Sequence, residues 1–417
     1  REGGLDYIVG SGGTITEAVS TMVWPGDAVV HVSIVNWIKG CSKDDKKLSW
    51  QEGDVRDGNL SSTTVDRIPS SLTTKLDVTT ATVLRANANS EVCHQGQTHG
   101  HDGFLISPTE AAELIHASPK NREILFPYLI GEELLSVGAP TRYVIDFHPR
   151  DILSAQRYKE PFAIVKTEVL PARKKAARLE AERNAEILEG NPNGKVNHHH
   201  SNFLKKWWLL SYARADLIKL LTGIDRYISC CQVTKRPIFE FISSAIRPNA
   251  QLIVFPVEDD YSFGILQSSM HWEWFTEKCS THTARFRYTS ETVFDTFPWP
   301  QSADTKSVKE VAQTAVALRD VRRALMRKHN MSLRELYASM EQPGKHPLKD
   351  AHESLDKAVR RAYGMGPRTN PLVFLFDLNQ RCAEKEAKGV AIVGPGLPSN
   401  ISSKGLVSKD AVQAPKL

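Results

Sequence analysis

The sequence has few cysteines and no long apolar run. Its 417 residues contain six cysteines with no C-x-x-C pair. No segment approaches the roughly 20 apolar residues that a membrane-spanning helix needs. Disulfide frameworks and zinc ribbons require several cysteines at short spacing. The composition therefore argues against a secreted disulfide-rich domain, a zinc ribbon and a membrane protein, and we expect a cytoplasmic protein with no membrane partner.

Familiar catalytic signatures are missing as well. The chain has no P-loop, no H-E-x-x-H helix and no nucleophile elbow, which argues against an intact enzyme of those classes. The net charge is only +5, but basic residues cluster at 173–183 and 319–328. Local electric fields therefore matter more for the choice of partner than the total charge does.

The chain does contain a basic and aromatic stretch at residues 202–234. Lys205 and Lys206 stand directly before Trp207 and Trp208, and a helical pattern leads on to Arg226. Cations that contact phosphates beside flat apolar rings are typical of nucleic-acid surfaces. The alternative is an amphipathic helix with solvated lysines and buried tryptophans. We expect the tryptophans to lie mostly in the core.

Other basic residues are candidates for DNA contacts. Alternation in residues 279–288 places Arg285 and Arg287 on one face of an extended segment. Arginines so placed could each contact a guanine edge, or they could pair with Asp259, Asp260 or Glu291. The remaining candidates are Arg173, Lys174, Lys175, Arg214, Arg226 and Lys235. For the first three, a solvated helix is the alternative.

Several polar clusters are interpreted as structural. His94, His99 and His101 lie in a glycine-punctuated loop, and with no clear fourth ligand we predict no metal site there. A lone carboxylate such as Asp146 at a strand end is typical of a cap or turn. Ser107 followed by proline predicts a helix start.

The patterns predict a mixed chain of the α/β (α+β) class. Residues 28–38 form a β-branched run that suits a strand covered on both faces. The polar segment that follows is either a connector with one or two edge strands or partly disordered. Amphipathic periodicity predicts helices at 307–328, 332–340, 350–363 and 372–389, followed by a disordered tail at 391–417.

Several stretches together resemble the MmeI-like (type IIL) restriction–modification family, whose complete members carry an adenine-specific DNA methyltransferase core followed by a target recognition domain. The stretches lie at residues 1–37, 95–111 (QGQTHGHDGFLISPTEA), 121–134 (NREILFPYLIGEEL), 142–147, 205–214, 226–235, 263–274, 285–300 and 355–364. Their order along the chain carries the resemblance, since no single stretch is a catalytic signature.

The resemblance implies a division of the chain. Residues 1–40 would be the last strands of a methyltransferase core, 41–99 a polar connector, 100–300 the target recognition domain and 301–390 a helical C-terminal domain. The chain begins at Arg1 rather than Met, and it resembles the C-terminal part of a longer protein.

The resemblance also implies duplex DNA as partner and S-adenosylmethionine as cofactor of the parent protein. The Asn-Pro-Pro-aromatic motif of such enzymes is absent here, and no glycine-bearing cofactor loop follows a strand. We therefore expect no catalytic residue, no cofactor and no metal in this chain. The alternative function is a protein-interaction module that packs on a partner or on the missing methyltransferase core.

Overall fold

A computed structural model describes residues 4–26, 28, 30–52, 55–56, 58–70, 72, 78, 80–279 and 286–415. It begins with a small antiparallel and parallel sheet. The elements are α1 (Leu5–Gly10), β1 (Gly13–Val23), β2 (His31–Lys39), β3 (Lys46–Gln51) and β4 (Leu60–Val65), and the strand order is β2-β1-β3-β4. Ile15, Ala18 and Leu48 are buried in its core.

The structure corrects one expectation for this region and agrees with one alternative of another. The run at 28–38 was expected to be covered on both faces, but β2 is an edge strand on which Ile34, Trp37 and Ile38 are exposed. A β-branched run predicts a strand but not what packs on it. In the polar segment from residue 41 to about 89, β3 pairs with β1 inside the sheet and β4 is its second edge strand, which agrees with the alternative of a connector with one or two edge strands.

The middle of the chain contains two more sheets that share a body. The elements are α2 (Arg85–Ala88), β5 (His94–Gln95), β6 (Leu105–Ile106), α3 (Pro108–Ala117), β7 (Leu125–Leu129), α4 (Gly131–Ser136), β8 (Arg142–Ile145), α5 (Ile152–Ala155), α6 (Lys159–Gly190), α7 (His199–Lys205), α8 (Ala215–Thr222), β9 (Arg226–Cys231), β10 (Val233–Thr234), β11 (Glu240–Ser243), β12 (Arg247–Pro248), β13 (Leu252–Phe255), α9 (Asp260–Gln267), α10 (Ser269–Lys278) and β14 (Phe286–Arg287). Their sheets have the orders β12-β7-β8-β6 and β11-β9-β13-β5, and β10 pairs with β14.

Local chemistry accounts for several of these elements. Ser107 and Glu110 form a reciprocal capping box at the start of α3, which confirms the predicted helix start. Every residue of β9 is buried, because β11 and β13 flank it on both edges and helices cover the sheet. In α6 the side chains of Phe162, Val165 and Val169 pack on the β6–β8 sheet.

Helices dominate the C-terminal part, as predicted. They are α11 (Thr305–His329), α12 (Leu333–Met340), α13 (Pro347–Ala362) and α14 (Pro371–Ala387). Val308, Val311, Ala315 and Leu318 form the buried face of α11, which packs on α9 and α13. Within the described residues, no helix has the length and apolarity to cross a membrane.

The predicted disordered tail is wrong for residues 391–415, which pack on the folded body. The backbone of Val412 exchanges hydrogen bonds with Phe241 and Ser243, and Leu406 is buried. The Asp410 carboxylate accepts hydrogen bonds from Arg226 and Arg319. The tail was predicted to be disordered because it is rich in Ser, Lys and Gly, and its composition gives no sign of these contacts.

Candidate nucleic-acid interface

The glycine-rich loop at residues 93–104 holds the segment 211–214, which carries the exposed Arg214. The backbones of Thr98 and Tyr212 exchange two hydrogen bonds of 3.0 Å, and the Gln97 amide donates to the Ala213 carbonyl at 2.8 Å. Gly96 is required at this approach, because a Cβ there would lie 2.2 Å from the carbonyl oxygen of Asn249. The loop therefore fixes residues 211–214 on the body.

A cleft of about 610 Å³ lies beside this segment. Lys205 ends α7, Lys206 follows it, and both side chains are exposed where they line the cleft with Arg214. Tyr212 lies among them with 47% of its surface exposed. The guanidinium of Arg214 lies 5.6 Å from the Tyr212 ring centroid. The cleft thus joins cations with an accessible ring, as a nucleic-acid surface does.

The backbone at Arg214 is unusual. Its φ is +52°, in the left-handed region that residues with a side chain rarely adopt. Such conformations concentrate at functional sites, where surrounding structure compensates their cost. Here the adjacent hydrogen bonds of Tyr212 and Ala213 hold the turn and direct the Arg214 side chain toward Gln95.

A chain of side-chain hydrogen bonds continues from Arg214 across the surface. Its guanidinium donates to Gln95 Oε1 at 2.9 Å. The Gln95 amide nitrogen in turn donates to Gln232 Oε1 at 3.3 Å and to the Ala250 carbonyl at 2.9 Å. This direction of donation leaves the Gln232 amide nitrogen as the last donor of the chain.

Gln232 leads directly into the short β10–β14 ribbon. Its carbonyl accepts from the Tyr288 backbone at 2.7 Å, and Val233 is paired with Arg287. Lys235 and Arg287 are exposed on this ribbon. We define the basic face as a set of residues that the cleft, the Arg214–Gln95–Gln232 hydrogen bonds and the β10–β14 pairing connect: Lys205, Lys206, Tyr212, Arg214, Gln95, Gln232, Lys235 and Arg287.

Five of the predicted contact residues therefore lie on one surface, and others do not. Lys174 and Lys175 are exposed on α6 and do not line the cleft. Arg285 lies outside the described residues, so its predicted position on one face with Arg287 is not described. Among the described residues Arg287 has no carboxylate within ion-pair distance, which argues against its pairing with Asp259, Asp260 or Glu291; contact of Arg285 or Arg287 with DNA stays a prediction.

Arg173 is corrected to a structural residue. It is 7% exposed and donates to the carbonyls of Phe203 and Lys206, each at 3.1 Å. Burial lowers the pKa of its guanidinium to about 10. These bonds close the end of α7, and the side chain cannot reach a phosphate in this fold. The sequence places it in a basic run, but helix periodicity turns it inward.

Arg226 is corrected in the same way. It is 3% exposed, pairs with Asp260 at 3.1 Å and Asp410 at 3.3 Å, and lies 3.5 Å from the Phe241 ring centroid. Burial lowers the pKa of this arginine, whereas the neighbouring charge of Asp260 raises it. Its carboxylate partners are distant in sequence, so no local pattern could reveal them.

The residues interpreted as structural have structural contacts. Trp207 packs on Phe162 with ring centroids 5.3 Å apart, and Trp208 donates to the Arg150 carbonyl at 3.0 Å. Asp146 accepts from the His148 backbone at 3.0 Å and from Gln97 at 2.9 Å. In the part of the chain that is described, no group of three or more His, Cys, Asp or Glu is arranged to hold a metal.

Sequence reasoning missed three members of the basic face. Tyr212, Gln95 and Gln232 carry no charge, and each stands in an ordinary local context. The one available signal was the glycine on the C-terminal side of Gln95, which marks a close backbone approach.

Comparison with known proteins agrees with the resemblance read from the sequence. Residues 237–301 match the family model described as MmeI, target recognition domain. DNA methyltransferase A of Bacillus subtilis (strain 168) is 31% identical over 121 residues, which are 29% of this chain and 13% of that relative. The match thus spans a small part of the relative's length.

Two solved structures were compared with the chain. The type IIL restriction-modification enzyme MmeI, solved in complex with DNA, matches 90% of this chain and 47% of its own with a TM-score of 0.68 and 20% identity. The type IIG restriction endonuclease BpuSI has a TM-score of 0.31 and 11% identity, which is too low to support an argument. The chain spans about half of the MmeI chain, and at this identity the match establishes the fold. Residues 237–301 therefore match the MmeI target recognition domain model, within a chain that shares its fold with the matched part of MmeI.

Proposed function

We propose that this chain is the DNA-recognition portion of a site-specific adenine DNA methyltransferase of a restriction–modification system. The basic face is the observation that carries the proposal, because the cleft, the hydrogen bonds of Gln95 and the β10–β14 pairing connect cations, amides and an accessible ring. The family match of residues 237–301 and the fold shared with an enzyme solved on DNA support it. Catalysis and S-adenosylmethionine binding would belong to another part of the parent protein, since this chain has no Asn-Pro-Pro-aromatic motif and no glycine-bearing cofactor loop after a strand.

Each class of side chain on the basic face has a role in this proposal. Lysines and arginines contact phosphates, which supplies affinity and fixes the register on the duplex. Amides and arginines read base edges in the grooves. A methyltransferase must extrude its target base, so a separate module has to hold the flanking duplex in place. The ordered chain from Arg214 to Gln232 presents donors whose direction is already set before DNA arrives.

The test is a charge reversal in the cleft. The double variant Lys205→Glu/Lys206→Glu is expected to lower affinity for a labelled 30-base-pair duplex by at least tenfold, and to the same extent for unrelated sequences, because phosphate contacts carry no sequence information. Fluorescence anisotropy at fixed salt measures this. The matched control is Lys306→Glu/Lys309→Glu, which reverses two exposed charges on α11 away from the basic face.

The outcomes separate the proposal from its failure. Equal affinity of the cleft variant and the wild-type chain would remove the cleft from the interface. An equal loss in both double variants would mean that net charge alone, rather than the basic face, governs binding.

The sheet formed by β1 to β4 favours a second function, which is contact with another protein. Trp37, paired with Ile15, and Trp50, two residues from Leu48, expose 48% and 39% of their surfaces there. Large apolar side chains exposed on one face of a sheet mark interaction surfaces. We propose that this sheet packs on the methyltransferase core, and Trp37→Lys should then abolish association with a separately produced core in size-exclusion chromatography while duplex affinity stays unchanged.

A further inference from the structure

Arg236 is a desolvated cation without an anionic partner. Its guanidinium is stacked 4.4 Å from the Trp272 ring centroid and 5.4 Å from that of Tyr337. Its Nε is buried and has no hydrogen-bond partner, and no carboxylate of the described residues lies within ion-pair distance of the side chain. Burial lowers the pKa of this arginine. Leaving a buried donor unsatisfied is costly, so the arrangement calls for an explanation.

Other buried arginines nearby do have partners. Arg319 contacts Asp260 and Asp410, and Arg322 pairs with Glu240 at 2.8 Å. The fold therefore supplies carboxylates to arginines that hold it together. Arg236 differs because its ring contacts fix the plane of the guanidinium while its hydrogen-bonding edge is left available.

That side chain lines an open cavity of about 860 Å³ between the β10 ribbon, α4 and α12. Lys235 lines the same cavity, as do the side chains of Gln95 and Gln232. The cavity is therefore continuous with the basic face, and it lies at the end of the hydrogen-bond chain that begins at Arg214. A guanidinium and an ammonium on one wall attract an anion, and a guanidinium matches the geometry of phosphate oxygens.

Acidic groups around Arg236 are occupied or distant. Glu132, which also lines the cavity, is paired with Arg334 at 2.8 Å. Asp356 accepts from the Ser269 backbone at 2.8 Å, at the start of α10. Glu341 is exposed on the cavity wall, and its charge acts on Arg236 from beyond ion-pair distance. Glu341 would thus compete weakly with an incoming anion rather than neutralise Arg236.

We propose that the Arg236 cavity is a phosphate-binding site. Its occupant is a phosphodiester of the bound duplex, which extends the basic face past Lys235 to α12. This assignment of the source rests on the proposed function, whereas the site itself does not. A free phosphoanion offers the same chemistry, and the experiment distinguishes the two sources.

The first arm measures the salt dependence of duplex binding for Arg236→Gln. Each phosphate contact contributes about 0.9 to the slope of log K against log salt. The variant is expected to lose about 0.9 of the slope and about tenfold in affinity at low salt. Arg247→Gln is the matched control, because that guanidinium also stacks on a ring, 4.2 Å from Phe126, and has an unpartnered Nε, but does not line the cavity.

A second variant tests the inference independently, in case Arg236→Gln does not fold. Glu341→Gln alters an exposed side chain and removes the competing carboxylate, so it should raise duplex affinity two- to fivefold if the cavity takes a phosphate. Unchanged or weaker binding by this variant counts against the inference even if Arg236→Gln does not fold.

The second arm titrates inorganic phosphate against the DNA-free chain and follows Tm. A rise in Tm in the wild-type chain and in Arg247→Gln, but not in Arg236→Gln, assigns the site to a free phosphoanion. No rise, combined with the lost slope in the first arm, assigns it to the duplex. An unchanged slope and no response to phosphate overturn the inference. If the wild-type chain binds no duplex yet responds to phosphate through Arg236, the proposed function fails and the site stands.

Discussion

At the scale of single residues, Gly96 shows how a backbone approach controls the basic face. Replacing it with alanine places a Cβ 2.2 Å from the carbonyl oxygen of Asn249, so the loop has to move away. We expect a loss of about 1–3 kcal/mol in stability, as for overpacked positions. Gln95 moves with the loop, and duplex affinity should fall several-fold, as measured by urea denaturation and anisotropy.

The control for Gly96→Ala is Gly223→Ala. There the nearest atom to an added Cβ is the Leu220 carbonyl oxygen at 3.7 Å, an ordinary contact. This variant should change stability by less than about 0.5 kcal/mol. If both substitutions have the same effect, the close approach at Gly96 does not explain the loss.

Two buried histidines predict how stability depends on pH. Burial lowers the pKa of His271 to about 3 and that of His352 to about 2, and each ring contacts a tyrosine hydroxyl at 2.9 Å. In the unfolded chain their pKa is about 6.5. Below that pH the unfolded state binds protons that the folded state refuses, so stability falls as pH decreases from 6.5.

Asp259 opposes part of this effect. Burial raises its pKa to about 6, so below pH 6 the folded state retains a proton that the unfolded chain releases. Two histidines against one aspartate leave a net of one proton, or about 1.4 kcal/mol of stability lost per pH unit between pH 6 and 4. Unfolding free energies at pH 6, 5 and 4 measure the slope. The slope should be smaller in His352→Gln than in the wild-type chain by about 1.4 kcal/mol per pH unit, and an unchanged slope in that variant would contradict the assignment.

Among residues, the sequence identified exposed cations better than buried ones. Lys205, Lys206 and Lys235 are exposed as predicted, because lysines are seldom buried without a partner. Arg173 and Arg226 were assigned wrongly, since an arginine can be buried wherever acceptors converge on it. The converging groups come from distant parts of the chain, and a single sequence does not reveal them.

At the scale of elements, the C-terminal segment is joined to the body through Asp410, and we call the contacts of Asp410 with its three arginines the clamp. Asp410 accepts from Arg319 at 2.7 Å, from Arg226 at 3.3 Å and from Arg323. Burial alone would raise the pKa of Asp410, but the hydrogen bond and charge of Arg319, with hydrogen bonds from Ser408 and Arg323, hold it well below its usual range. The clamp thus links β9 with α11 through a residue that the sequence placed in a disordered tail.

Removing the clamp should lower the free energy of unfolding substantially. Asp410→Ala leaves Arg226 and Arg319 buried with one carboxylate between them, and we expect a loss of about 3–5 kcal/mol. Asp320→Ala removes an exposed partner of the same Arg323 and should cost less than about 1 kcal/mol. Urea denaturation of both variants checks the difference. Equal losses would show that the buried network does not depend on Asp410.

Helices were predicted more accurately than strands. Ser332 and Glu335 form the capping box that starts α12, and four of the apolar positions predicted for one face of α11 (Val308, Val311, Ala315 and Leu318) are buried, while Val321 and Leu325 are half-buried. These signals are local. Strand pairing is not local, and neither the parallel pairing of β1 with β3 nor the order of the other sheets can be read from composition.

At the scale of the whole molecule, the basic face is assembled from separate parts of the chain. α7 packs on α6 beside the β6–β8 sheet, whereas the β10–β14 ribbon continues from β9 in the other sheet. Gln95 connects them, because it bonds Arg214 on one side and Gln232 on the other. The face therefore exists only while both sheets keep their relative positions, which links DNA affinity to the stability of the body between them.

This assembly predicts a definite salt dependence. Five exposed cations lie on the basic face: Lys205, Lys206, Arg214, Lys235 and Arg287. If each neutralises one phosphate, these five contribute about −4.5 to the slope of log K against log salt, which alone lowers affinity about 500-fold between 50 and 200 mM, and a contact at Arg236 adds about −0.9. Lys235→Gln should reduce the slope by about 0.9 without loss of stability, because this side chain is exposed and lies at the cavity rim. A slope near −1 for the wild-type chain would mean that the cations do not contact one duplex together, even though they share a surface. If Lys235→Gln leaves the slope unchanged, the duplex does not contact Lys235, and the DNA interface does not extend beyond Gln232 to the Arg236 cavity.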